Sequence, residues 1–199
     1  MRLLVLLALV AAPLARAQGY GGGTDPQQGV VRAEVVHRYY DVEGRSESDL
    51  LQGMLHQGPE WEGRRFFGLT TSDVRYVYNR IPTATGCDLA NIVVTTTVTI
   101  VLPRWQPPRG TPYMLERDWR RFERTLRAHE DGHRRLLEEE AEQIRLALAG
   151  LRTARCDEVD RVAQREVTRV RQHFGAMHRN YDARTEHGRT QGAVWPPGH

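Results

Sequence analysis

Apolar and polar positions along the chain follow three successive patterns. In the first, Leu3 to Leu14 is an unbroken apolar run between Met1-Arg2 and the small-x-small triplet Ala15-Arg16-Ala17. A basic start, an apolar centre and such a triplet make a secretory signal peptide, so residues 1–17 are expected to be cleaved before Gln18. The run is short for a bilayer, which takes about 20 residues. No later run is longer and as apolar, so no stable membrane span is expected after cleavage. Residues 18–29 (QGYGGGTDPQQG) read as a flexible linker, rich in Gly and Gln.

The second pattern is extended. Val30 to Val42, rich in Val and Tyr, predicts a strand. Ser46 to His56 (SESDLLQGMLH) predicts a short helix, with capping residues ahead of Leu50, Leu51, Met54 and Leu55. Arg65 to Asn79 predicts a second strand. Cys87 to Leu102 contains the β-branched run NIVVTTTVTIVLP and gives the strongest strand signal in the chain. Pro103, Pro107, Pro108 and Pro112 then interrupt it.

The third pattern is helical. Leu115, Trp119, Phe122, Leu126, His129, His133 and Leu136 recur at alternating spacings of four and three, and Ile144, Leu148 and Leu151 continue the stripe. One amphipathic helix is expected from about Pro112 to Leu151. A second starts near Cys156-Asp157, with Val159, Ala163, Val167, Val170, Phe174, Met177 and Tyr181 as its stripe. The short link between them implies antiparallel packing. Gly188, Gly192 and Pro196-Pro197 mark an irregular end. The expected organisation is one domain over 30–193 and a tail over 194–199. Its class is α+β, a small, mostly antiparallel sheet packed against a long antiparallel helical hairpin.

Composition narrows the function. The formal net charge is +3, and loss of Arg2 and Arg16 with the signal leaves about +1. That near-neutral balance argues against a nucleic-acid partner. Every basic residue is Arg, mostly alternating with Glu on helical faces that read as solvated. Two cysteines, Cys87 and Cys156, in an exported chain suggest one disulfide, the alternative being two unrelated buried thiols. A periplasmic or secreted location follows.

The first helix holds an anomaly. Asp131-Gly132 interrupts the strong helical stretch LRAHEDGHRRLLEEE, although Gly costs about 1 kcal/mol relative to Ala in a helix interior. The pair lies between His129 and His133, which share the apolar stripe and, one turn apart, point the same way. Glu130 falls on the adjoining flank, within reach of a metal-bound water. This is H-E-x-x-H on a helix, the arrangement of zinc metalloproteases. Eight His and fifteen Glu in 199 residues produce it by chance on the order of 0.02 times. The bland alternative is a pair of hydrogen-bonded core histidines. Gly132 is then expected to keep space open where another backbone or the substrate comes close. Asp131 is expected to face solvent.

A catalytic zinc needs a third protein ligand and an open position. His173 and His178 on the second helix, and Asp182 and His187 beyond them, are candidates. For the two helical histidines the bland alternative is a surface position, and for Tyr181 a core aromatic. Glu138, Glu139 and Glu140 read as a solvated run.

The segments HEDGH, VTTTVTIVLPRW, GCDLA and YDARTEHGRTQGA together resemble a bacterial family of unknown function whose members are described as predicted secreted zinc-dependent proteases. The resemblance covers about Tyr39 to Ala193. His129, Glu130, Gly132 and His133 match its HExGH helix, and Tyr181, Asp182, Thr185, His187 and Gly188 match its YDxxTxHG segment. It implies Zn2+, a peptide or protein substrate, and His187 as third ligand ahead of His173 and His178. Asp182 becomes the alternative ligand or the partner of His187. Glu130 would be the general base, with Tyr181 or a nearby Arg such as Arg184 at the oxyanion. The alternative function is a non-catalytic periplasmic binding or assembly module with a structural zinc or none.

Overall fold

Strand β1 (Val30–Val42) opens the structure, a computed structural model that describes residues 29–197. The expected signal peptide, the linker as far as residue 28 and the last two residues of the chain lie outside the described residues. Helix α1 (Glu47–Gln57) follows, closed at its start by a capping box between Ser46 and Asp49. The short strands β2 (Glu60–Trp61) and β3 (Arg64–Arg65) pair with each other. Next come β4 (Leu69–Thr83) and β5 (Gly86–Trp105). Helix α2 (Tyr113–Ala149), β6 (Arg152–Thr153) and α3 (Val159–Thr185) complete the main elements.

The sheet has the order β1-β5-β4, and β6 adds to β5. Its centre, β5, is the chain's strongest β-branched run. Ile92, Val94, Thr96, Val98, Ile100 and Leu102 alternate onto its buried face. β4 and β6 pair with β5 antiparallel and β1 pairs parallel, so the class is α+β with a mostly antiparallel sheet. The segment 43–68, with α1 inside it, carries the chain from β1 to the opposite edge of the sheet, and the tight turn after β4 then sends β5 back parallel to β1. β4 starts later than its sequence pattern suggests, because Arg64–Arg65 belongs to the small hairpin. It also runs on through Pro82, which an edge strand tolerates because it lacks only an outward N–H.

The apolar stripe of α2 buries against β5 and α3 and supports two clusters. One gathers Leu50, Met54, Val98, Ile100, Leu102, Trp119, Phe122 and Leu126. The other gathers Leu89, Ile92, Val94, Ile144, Leu148, Val159, Val167 and Phe174. Trp195, in the expected tail, packs on the core. Trp195 is 6 % exposed, its ring lies 5.4 Å from Trp119 and 5.5 Å from Phe122, and its indole N–H donates to Glu47 O at 3.0 Å. Gly188 and Gly192, both with left-handed backbone, turn the chain back onto α2.

Glu140 departs from the expected solvated run. It is buried against α3, 3.5 Å from Arg171, and burial pushes its carboxyl above the usual value, with Arg171 pulling the other way. Glu139 remains exposed and Glu138 pairs with Arg134. Each helical step turns a side chain by about 100°, so three consecutive glutamates cannot share one environment.

Cys87 and Cys156 form the expected disulfide, joining the start of β5 to the turn before α3 across 69 residues. Closing a loop of that length removes denatured-state entropy equivalent to about 4 kcal/mol. Replacing both cysteines by serine should therefore lower unfolding stability by about that amount. Urea titration checks this, and thiol labelling of the unfolded, unreduced protein should find no free cysteine.

Candidate metal centre

One face of α2 presents His129 and His133, and the last turn of α3 presents Asp182 opposite them. His133 Nε2 lies 2.9 Å and His129 Nε2 3.3 Å from Asp182 Oδ1. The two imidazole rings are 4.9 Å apart and nearly perpendicular. One donor atom from each of the three residues falls within 4.8 Å of the others, the spread expected for groups that share one ion.

The remaining ring nitrogens are also engaged. His129 Nδ1 meets Gln191 Oε1 at 3.0 Å, and His133 Nδ1 meets His178 Nδ1 at 2.8 Å. Metal-binding histidines are held in this way, by a partner on the nitrogen that does not ligate. Two imidazoles and a carboxylate also make a donor set that suits zinc and leaves a fourth position for a water. The residues present therefore fit a metal ion.

The charges are strongly coupled. Burial alone would raise the Asp182 carboxyl, but hydrogen bonds to His129 and His133 and the nearby charges of His133 and His187 hold it well below the usual range. Burial pulls His129 down, yet Asp182, Glu130 and Gln191 leave it above the ordinary histidine value. His178 is pulled down to about 4 by burial and by the charge of His133, so it is neutral at physiological pH.

Glu130 faces the sheet rather than α3. It is 4 % exposed, and Thr70 Oγ1 donates to its Oε2 at 2.7 Å. Burial pushes its carboxyl up, against the pull of Thr70, His133 and His129. Gly68 flanks the other oxygen, and a Cβ there would sit 2.7 Å from Oε1. Thr70 and Gln191 carry no motif signal. They come from β4 and from the turn after α3, and only the folded chain brings them to α2.

Gly132 has a structural cause. A Cβ at this position would lie 2.1 Å from Tyr181 Oη and 2.3 Å from its Cζ, far inside contact distance. The Tyr181 ring fills that space, stacked on His129 at 5.1 Å and edge-on to His133 at 5.0 Å. Its hydroxyl donates to His129 O at 3.2 Å. The close approach at Gly132 is thus made by a tyrosine side chain and not by the backbone or substrate expected there. Arg184 is exposed. Asp131 is half-buried and accepts from Arg134 Nε at 3.0 Å.

His187, expected as the third ligand, is not among the three clustered donors. Its side chain is 58 % exposed, with Nδ1 3.6 Å from Asp182 Oδ1. α3 continues through Thr185, which keeps Asp182 on the face toward α2. The left-handed residues Glu186, His187 and Gly188 then carry His187 to the rim. His173 is exposed, as in its bland alternative. His178 is not a surface residue but the partner of His133.

The model of a bacterial family of proteins of unknown function, DUF922, matches residues 37–188. The chain belongs to this family. No curated protein and no solved structure matches it. The DUF922 match takes in most of the sheet, both long helices and every clustered donor, and stops short of Gln191 and Trp195.

The contact between Gly132 and Tyr181 gives a direct test. Ala has the better helix propensity, by about 1 kcal/mol, but overpacking costs about 1–3 kcal/mol. Gly132→Ala should therefore be neutral to destabilising by about 2 kcal/mol in the native background. In a Tyr181→Leu background it should turn stabilising. Denaturant unfolding of the four-member cycle measures the coupling.

Proposed function

We propose that the protein is an exported zinc-dependent peptidase, with His129, His133 and Asp182 holding the ion and Glu130 acting as general base. The observation that carries this is the convergence of two imidazole Nε2 atoms and one carboxylate oxygen beside a buried, Thr70-held glutamate, on a helix with HExxH spacing. The sequence of residues 1–17 and the Cys87–Cys156 disulfide support export. Among the described residues no helix is long and apolar enough to cross a membrane.

A bound zinc ion would polarise a peptide carbonyl and lower the pKa of its water toward ~7. The protein's own groups supply the proton handling. Thr70 holds Oε2 of Glu130, which leaves Oε1 as the oxygen that accepts a proton from the attacking water and returns it to the leaving amine. The elevated pKa of Glu130 suits both halves of that exchange. Gln191 and His178 hold the two imidazoles in orientation from behind. Tyr181 supports the wall of the site through its packing on both rings.

His187 gives the non-catalytic alternative its one support. Its Nδ1 lies 3.6 Å from Asp182 Oδ1, and recruitment of this nitrogen would complete a closed four-ligand set, the mark of a structural zinc.

Metal analysis of the mature protein should find about one zinc per chain. Chelator competition should show Asp182→Ala losing zinc affinity more severely than His187→Ala. The reverse order would return the third position to His187, and full zinc content in the His129→Ala, His133→Ala double variant would remove the site altogether. Glu130→Gln should keep zinc and lose about 10²–10⁴-fold in peptide hydrolysis. Wild-type turnover in that variant would end the assignment of Glu130 as base.

A further inference from the structure

His178 lies one helical turn before Asp182 on α3, so the two side chains face α2 together. Its Nδ1 is 2.8 Å from His133 Nδ1, and the two ring planes differ by only 22°. In that near-coplanar geometry the in-plane lone pair of one nitrogen meets the N–H of the other. Two nitrogens in such contact cannot both donate or both accept.

His133 Nε2 is the nitrogen that faces Asp182 Oδ1. A nitrogen that ligates a metal carries no proton, so a ligating His133 must carry its proton on Nδ1. His178 Nδ1 is then the acceptor, and the proton of His178 sits on Nε2. That atom is buried and has no hydrogen-bond partner among the described residues. A buried donor without a partner is unfavourable and rare in folded proteins. An apolar side chain at 178 would avoid the penalty.

We infer that His178 is a positioning residue for the metal centre, an inference that rests on the zinc site proposed above. By accepting from His133 Nδ1 it fixes the tautomer and ring orientation that present His133 Nε2 to the ion. The hydrogen bond to His133 is what offsets the stranded Nε2. His178 is not itself a ligand, because its Nδ1 is turned to the back of the His133 ring. Carboxylates and main-chain carbonyls commonly do this job, and here a second imidazole does it.

Two replacements separate chemistry from shape. The amide oxygen of Asn takes the place of the Nδ1 acceptor, whereas that of Gln extends to the place of Nε2. Zinc affinity of the full mature chain is measured by chelator competition for the wild type and for His178→Leu, His178→Asn and His178→Gln, with circular dichroism as the folding control. His178→Leu and His178→Gln should lose about 10–100-fold in affinity, and His178→Asn should stay near the wild type. Nitrogen-15 shifts of the zinc-loaded wild type should place the proton of His133 on Nδ1 and that of His178 on Nε2. This second measurement needs no variant to fold. Unchanged zinc affinity in His178→Leu, or a proton on Nδ1 of His178 in the loaded protein, overturns the inference while leaving the zinc site standing. Failure of the wild-type chain to bind zinc overturns the site and this inference with it.

Discussion

The Asp182 carboxylate lies 2.9 Å from His133 Nε2, 3.3 Å from His129 Nε2 and 3.6 Å from His187 Nδ1. Taking a carboxylate out of water is unfavourable unless donors or positive charge surround it. Here the donors come from one face of α2, while the carboxylate comes from α3. The arrangement works only in one register of the helical hairpin. A slip of one residue along α3 would turn position 182 by about 100° and remove the carboxylate from both imidazoles.

That register is held at several points. The disulfide and β6 anchor the link between the helices to the start of β5. Ile144 and Leu148 pack in one cluster with Val159, Val167 and Phe174 along the hairpin. At the site itself the hollow at Gly132 receives the Tyr181 ring, which no other residue type at 132 would admit without displacement. Beyond α3 the chain folds back through Gly188 and Gly192 and is fastened by Trp195 between Trp119 and Phe122. This return places Gln191 behind His129. The docking of Trp195 on the aromatic cluster thereby helps to hold Gln191, the partner of the His129 ring.

The centre divides its tasks between two neighbours of α2. His129 and His133 look toward α3, where Asp182, His178 and Tyr181 meet them. Glu130, the next residue after His129, is rotated toward the sheet and meets Thr70 and Gly68. Consecutive helical residues point about 100° apart, so HExxH can put metal donors on one wall and a carboxylate on another. The buried position of Glu130 raises its proton affinity, and the cluster of imidazoles depresses that of Asp182. Two carboxylates in one small site thus acquire opposite tendencies.

Local pattern was enough to determine much of this molecule. The β-branched run NIVVTTTVTIVLP marked the strongest strand, the four-three spacing marked α2 with both histidines inward, and the glycine at 132 pointed to a close approach. The two cysteines, the only pair available, marked the disulfide. These features are legible because each depends on the period of one element or on pairwise arithmetic. Tertiary structure alone decided the rest. It chose Asp182 over His187 for the cluster, buried Glu140 out of a run of three glutamates, and brought Thr70, His178 and Gln191 behind the site. It also docked Trp195 and made β1 parallel to β5. None of these has a local signal, because each depends on the face that one element turns toward another distant in sequence. That orientation is set by the register and packing of the whole hairpin against the sheet.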